Sequence, residues 1–228
     1  MREEIILNTE TKAKQAIKIY NKLSLKFYDA YVHGFVAPAI FKCPTSNIIK
    51  LYDRNITKNH LEAGVGTGYL LSKCNVLEKI STLAIVDMNK ACLEYSRKRL
   101  HEYNPEVAIA NLLNPFQVSG QMFDSIGINY VLHCIPGDFT SKGIAFTHLK
   151  QHLSNEGVLF GSTVLSTGAN QSWLARKLVK FYNRAGVFNN LHDDLNGLNQ
   201  SLHRNFANVE IHLIGSIAVF RASDGELT

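Results

Sequence analysis

The chain has 228 residues, 46% of them apolar, and a formal net charge of +5. That size suits one α/β domain with a full core, and no run of about 18 apolar residues is present to cross a membrane. The start, Met1-Arg2-Glu3-Glu4, lacks the apolar stretch of a secretory signal, and Cys43, Cys74, Cys92 and Cys134 form no C-x-x-C pair, so a cytoplasmic protein with reduced thiols and no metal site is expected.

Residues 10–32 read as a helix, with Ile17, Tyr20, Leu23, Leu25, Phe27 and Tyr28 along its apolar stripe. Pro38 and Pro44 punctuate the chain before a second helix from about Thr45. A short strand ends at Glu62, followed by a glycine-rich loop and a helix through about Cys74. Residues 82–86 form a second strand ending in Asp87, and Leu93, Ser96, Arg97 and Leu100 recur at helical spacing after it. Residues 107–110 read as a third strand, 123–132 as a fourth, 146–153 as a helix stopped by Asn155-Glu156-Gly157, and 157–165 as a fifth strand. Two final strands flank Gly215-Ser216, a two-residue hairpin turn. Strands apolar on both faces, alternating with helices, predict a doubly wound, mostly parallel sheet covered by helices on both faces.

The loop Glu62-Ala63-Gly64-Val65-Gly66-Thr67-Gly68 carries the most chemistry. Its glycines permit a sharp turn and close approach of backbone to a ligand. Its spacing is G-x-G-x-G, with Tyr69 where the dinucleotide fingerprint has its third glycine. Glu62 beside the turn disfavours a phosphate and favours an amine or hydroxyls. In open α/β sheets ligands sit at the carboxyl ends of the strands, so the strand-end residues are the candidate ligand contacts. Asp87 is placed to accept ribose hydroxyls or to cap the following helix. Met88 is placed to lie on an adenine face or to fill the core. Asn111 and Leu112 end the third strand, where the Asn111 amide oxygen is able to accept from an amine or to cap a turn.

Residues 62–68 resemble motif I of the class I S-adenosylmethionine-dependent methyltransferases: an acid, any residue, then G-x-G-x-G. The resemblance covers about residues 45–222 and implies a Rossmann-like seven-stranded sheet, closed by an antiparallel strand from the terminal hairpin. It implies S-adenosyl-L-methionine as cofactor, held by Tyr28, Glu62, Gly64, Gly66, Gly68, Asp87, Met88, Asn111, Leu112 and Asn129. Asn111 departs from the aspartate common in the family. The segment Leu25-Lys26-Phe27-Tyr28-Asp29 resembles the helix preceding the sheet in the ubiquinone/menaquinone-biosynthesis type, where a Tyr-Asp pair closes over the cofactor. Asn129-Tyr130-Val131-Leu132 lacks the prolines of enzymes that methylate planar exocyclic amines, and Cys134-Ile135-Pro136 does not match the cytosine-C5 motif.

The expected function is therefore methyl transfer to a small-molecule acceptor; an RNA or protein methyltransferase, or a cofactor-binding protein without transferase activity, are the alternatives. His133, read as the end of the fourth strand, is the candidate general base, or else a histidine bonded at the domain surface. One domain is expected, with an N-terminal helical lid over about residues 1–55 and an aromatic-rich cap over about 166–205. Within that insertion, His192-Asp193-Asp194 reads as a helix cap rather than a metal site, and Arg176, Lys177, Lys180 and Arg184 as a solvated face rather than a nucleic-acid surface.

Overall fold

The computed structural model describes residues 22–118 and 120–227. Residues 10–21 of the expected N-terminal helix lie outside that range. From Lys22, helix α1 (Lys22–Tyr31) leads directly into a π-helical segment, Val32–Ile40, that contains Pro38. The chain does not break there, contrary to the sequence reading. A π-helix bonds each N–H to the carbonyl five residues back, and proline has no N–H for that bond. The carbonyl left over is that of His33, and the Thr45 hydroxyl donates to it at 2.7 Å.

Next come α2 (Thr45–Asn55), β1 (Asn59–Ala63), the short α3 (Tyr69–Ser72), β2 (Thr82–Asp87), α4 (Lys90–Arg99) and β3 (Glu106–Ile109). The second half comprises β4 (Phe123–Asn129), α5 (Ile144–Lys150), β5 (Leu153–Val164), α6 (Trp173–Arg184), α7 (Leu195–His203), β6 (Asn208–Ile214) and β7 (Ile217–Ser223). The helix after the glycine loop thus stops at Ser72, short of Cys74. Asn155-Glu156-Gly157 lies inside β5, which begins at Leu153 across a register irregularity against β4.

The seven strands run in the order β3-β2-β1-β4-β5-β7-β6. β1 through β5 are mutually parallel, and β7 is antiparallel to both β5 and β6. The alternation of strand residues sorts the core into two layers. On β2, Leu83 and Ile85 face one layer with Tyr52, Phe160 and Val219, while Ala84 and Val86 face the other with Phe146, Leu149 and Phe220. On β1, Leu61 and Ala63 enter the second layer, so His60 and Glu62 point into the first. The chain leaves β1 toward β2 on one side and later returns to β4 on the other. That reversal opens a crevice at the carboxyl ends of β1 and β4.

Candidate active site

The crevice is lined by residues from the carboxyl ends of β1, β2, β3 and β4 and from the N-terminal helices. Glu62 and the glycine loop come from β1, Asp87 and Met88 from β2, Asn111 and Leu112 from beyond β3, and Asn129 and Tyr130 from β4. Tyr28 and His33 contribute from above. All ten residues read from the sequence as cofactor-binding therefore line one cleft.

Local geometry explains the glycines. Gly64, Gly66 and Gly68 all have φ near +53 to +70°. At Gly66 nothing lies within 4 Å of where a Cβ would stand, so the loop backbone is bare on that side. Asp87 ties this loop to β2. Its Oδ2 accepts from Gly66 N–H at 3.0 Å and its Oδ1 from Asn89 N–H at 2.8 Å. Burial raises the Asp87 carboxyl above its ordinary range, against the pull of the Asn89, Gly66 and Met88 N–H groups. Asn89 caps α4, accepting from Ala91 N–H at 2.9 Å, so Asp87 is not the cap. Asn111 does cap a turn, its Oδ1 accepting from Leu113 N–H at 3.0 Å, which leaves its amide N–H groups and one lone pair. Asn129 Oδ1 accepts from the Ser162 hydroxyl at 2.9 Å, while its buried Nδ2 has no hydrogen-bond partner.

Glu62 is buried, and both its oxygens are engaged. The Tyr52 hydroxyl donates to Oε1 at 2.6 Å, and His60 Nε2 stands 3.2 Å from Oε2. The N-terminal helix is latched to the glycine loop through Asp29, the neighbour of Tyr28. Asp29 accepts from the Thr67 hydroxyl at 2.5 Å and from Arg99 at 2.7 Å, and Arg99 also donates to the Thr67 carbonyl at 3.0 Å. His33 stacks on Tyr69 with ring centroids 4.8 Å apart, and its Nδ1 is enclosed without a partner.

Two expectations require correction. β4 ends at Asn129, and Tyr130 takes a left-handed φ of +57°, which turns the chain into a short helix over Leu132–Cys134. His133 consequently points inward. It is 4% exposed, packs edge-on against Phe188 at 4.4 Å, and is not among the residues lining the cleft. Burial pushes its imidazole down to about 3, with the Lys142 charge adding to the effect. A neutral, enclosed ring outside the cleft has no route to an acceptor, so His133 is a core histidine.

The second correction concerns residues 166–205. None of them lines the cleft. Their packing is fixed: Asn189 N–H donates to His133 O at 2.7 Å, Asn190 to Val164 O at 2.8 Å, and Lys142 meets buried Asp193 at 2.5 Å. Among the described residues, the Tyr182 and Tyr31 hydroxyls stand 2.8 Å apart, and the insertion packs in the same core layer as Val36 and Ile40. It lies beside the N-terminal helices and does not line the cleft. Asp194 caps α7 through Gly197 N–H, as one of the two readings had it, and among the described residues no group of three potential metal ligands occurs.

Comparison with known proteins agrees with this arrangement. Over 203 residues the chain is 34% identical to demethylluteothin O-methyltransferase of Streptomyces thioluteus, covering 89% of this chain and 88% of that one. Over 216 residues it is 36% identical to the methyltransferase ctvB of Aspergillus terreus, covering 92% and 94%. The chain belongs to the class I S-adenosylmethionine-dependent methyltransferases. Among solved structures, the DhpI complex with SAH superposes with a TM-score of 0.66 at 12% identity, covering 94% of this chain and 98% of that one. A possible histamine N-methyltransferase from Thermotoga maritima gives 0.66 at 15% identity, covering 90% and 97%. At such identities these two share the methyltransferase fold. No family model matches the chain.

Among the described residues no helix is long and apolar enough to cross a membrane.

Proposed function

We propose that this methyltransferase moves a methyl group from S-adenosylmethionine to a hydroxyl oxygen of a small planar molecule. The observation that carries the reading is the convergence of Glu62, bare-backboned Gly66 and Asp87 on one cleft beneath a wall of Tyr28, His33, Tyr69 and Tyr130. The cofactor, when bound, supplies an electrophilic methyl on a sulfonium and a neutral leaving group. Proximity and alignment are then the main tasks of the protein.

The residues present fit that cofactor. The Asp87 oxygens accept from the backbone N–H groups of Gly66 and Asn89, with Met88 N–H acting on the same carboxylate, and the carboxylate retains lone-pair capacity for a ribose hydroxyl. Gly66 admits the ligand against the loop, and Asn129 Nδ2 is a buried donor without a partner. Buried polar groups are almost always satisfied, so an orphan on a cleft-lining residue supports a ligand there. Glu62 offers negative charge to an ammonium.

The acceptor side is aromatic, which suits a planar molecule. Relatives from Streptomyces thioluteus, Aspergillus chevalieri and Aspergillus niger are named as O-methyltransferases, which supports an oxygen centre. A hydroxyl acceptor must lose its proton as the O–CH3 bond forms. With His133 buried elsewhere, His33 is the histidine that lines the cleft. Burial holds its imidazole down to about 4, partly offset by Asp29, so it is neutral at pH 7 and able to accept.

Titration calorimetry tests the cofactor: S-adenosylhomocysteine is expected to bind and NAD to give no heat, and the reverse pattern overturns the reading. Turnover of a panel of phenols and enols with labelled cofactor, followed by product mass, tests the acceptor. Methylated RNA or protein with no methylated small molecule would refute the acceptor class.

A further inference from the structure

The Glu62 carboxylate sits in an unusual setting: 3% exposed, with only His60 as a possible ionic partner among the described residues. Whether His60 supplies a charge is decided one residue further back. The Ser125 hydroxyl oxygen accepts from Thr57 N–H at 3.1 Å and from the Thr57 hydroxyl at 3.0 Å. A backbone N–H is only ever a donor. With its acceptor sites thus used, Ser125 gives its single proton to His60 Nδ1, 2.8 Å away. His60 then bears its proton on Nε2, directed at Glu62 Oε2. The ring is a neutral donor, like Tyr52 on the other oxygen.

We infer that Thr57, Ser125, His60 and Glu62 form a one-directional chain of hydrogen bonds, and that His60 and Ser125 are positioning residues that present an ionised Glu62 to the ammonium of the cofactor's amino-acid portion. Two neutral donors orient the carboxylate and leave its charge uncompensated by the protein. A buried carboxylate of that kind favours a cationic ligand group.

The surrounding structure is shaped to this chain. His60 pairs in register with Ser125, and Glu62 with Gly127, on adjacent parallel strands. A Cβ at Gly127 would stand 2.5 Å from Glu62 Oε2, so a glycine is required for the carboxylate to lie there. Phe160 stacks on the His60 ring at 5.8 Å and meets Tyr52 edge-on at 5.2 Å, shielding the network from below.

The inference rests on the cofactor reading above, and two ligands separate the two. S-adenosylhomocysteine carries the ammonium; 5′-methylthioadenosine keeps the nucleoside and lacks it. Calorimetric Kd values are compared for wild type, Ser125→Ala and His60→Phe, with Glu62→Gln as reference and circular dichroism as the check on folding. Ser125→Ala removes one oxygen and frees His60 to turn a lone pair toward Glu62. We expect S-adenosylhomocysteine to bind Ser125→Ala and His60→Phe roughly tenfold more weakly, as for Glu62→Gln, with 5′-methylthioadenosine unchanged. Equal loss for both ligands, or no loss for either, overturns the positioning role alone. Wild-type protein that binds neither ligand overturns the cofactor reading and this inference with it.

Discussion

Asp87 and Gly66 act as a pair at the residue scale. The carboxylate holds the loop by the Gly66 N–H, and the missing Cβ keeps the loop surface open. Asp87→Ala removes the proposed ribose acceptor and one anchor of the loop, and is expected to weaken S-adenosylhomocysteine binding by about 1–3 kcal/mol. Gly66→Val places a branched side chain at φ +53° in that open space and should abolish binding. Calorimetry on both folded variants checks this; unchanged affinity in both would move the ligand away from this loop. Nine of the ten expected cofactor-side positions lie at or just after strand ends, which is why the sequence points to them; Tyr28, ahead of the first strand, rests on the family resemblance alone. His60, Ser125 and Tyr52 were not legible in sequence. Ser125 lies 65 residues from His60 and Tyr52 10 residues from Glu62, and only parallel pairing of β1 with β4, and packing of α2 on the sheet, brings them together.

At the scale of elements, α1 is fastened over the glycine loop. The Asp29 carboxylate, the Arg99 guanidinium and Thr67 clamp α1 to α4 and the glycine loop. With the cofactor bound to the glycine loop as proposed, its binding and the docking of α1 should reinforce each other. Limited proteolysis is expected to cut near Tyr28 more slowly with S-adenosylhomocysteine, and Arg99→Ala to speed that cut several-fold without ligand. Cleavage within 166–205 should not respond, because that insertion is anchored by Asn189, Asn190 and the Lys142–Asp193 pair rather than by the cleft. Protection of the insertion instead would restore it as a cap. The sequence does not decide the role of this element, because its aromatic residues pack equally well against a ligand or a neighbour. Phe188 and Tyr182 pack against each other at 4.8 Å, while Trp173 and Phe181 stay exposed.

The pH response belongs to the whole molecule. Burial holds His33 near 4 and His133 near 3, below the ordinary 6.5. As pH falls from about 6.5 toward 5, the unfolded chain takes up protons that these two rings refuse, and each removes about 1.4 kcal/mol of stability per pH unit. Asp193 opposes them. Burial raises it to about 6, so the fold gains its proton first and its contribution returns as pH falls through that value. Buried Asp87 acts in the same direction as Asp193, while buried His152 adds to the two histidines, and the expected balance is a net loss of stability on acidification. Denaturant unfolding at pH 6.5 and 5.0 measures this. His133→Gln should remove most of the slope; stability that rises on acidification would contradict the assignment.

What the sequence by itself determined was the local and periodic part: strand–helix alternation, the terminal hairpin, and the acid, glycines and strand-end residues of the cleft. Each depends on backbone conformation and side-chain alternation over a few residues, which neighbours in the chain dictate. What only the tertiary structure decided was which side chains meet. Tyr130 turned left-handed and swung His133 into the core, the Thr45 hydroxyl closed the bond that Pro38 could not make, and His33 came over the cleft from a helix. Such outcomes depend on burial and on partners tens of residues away, and no local spacing encodes them.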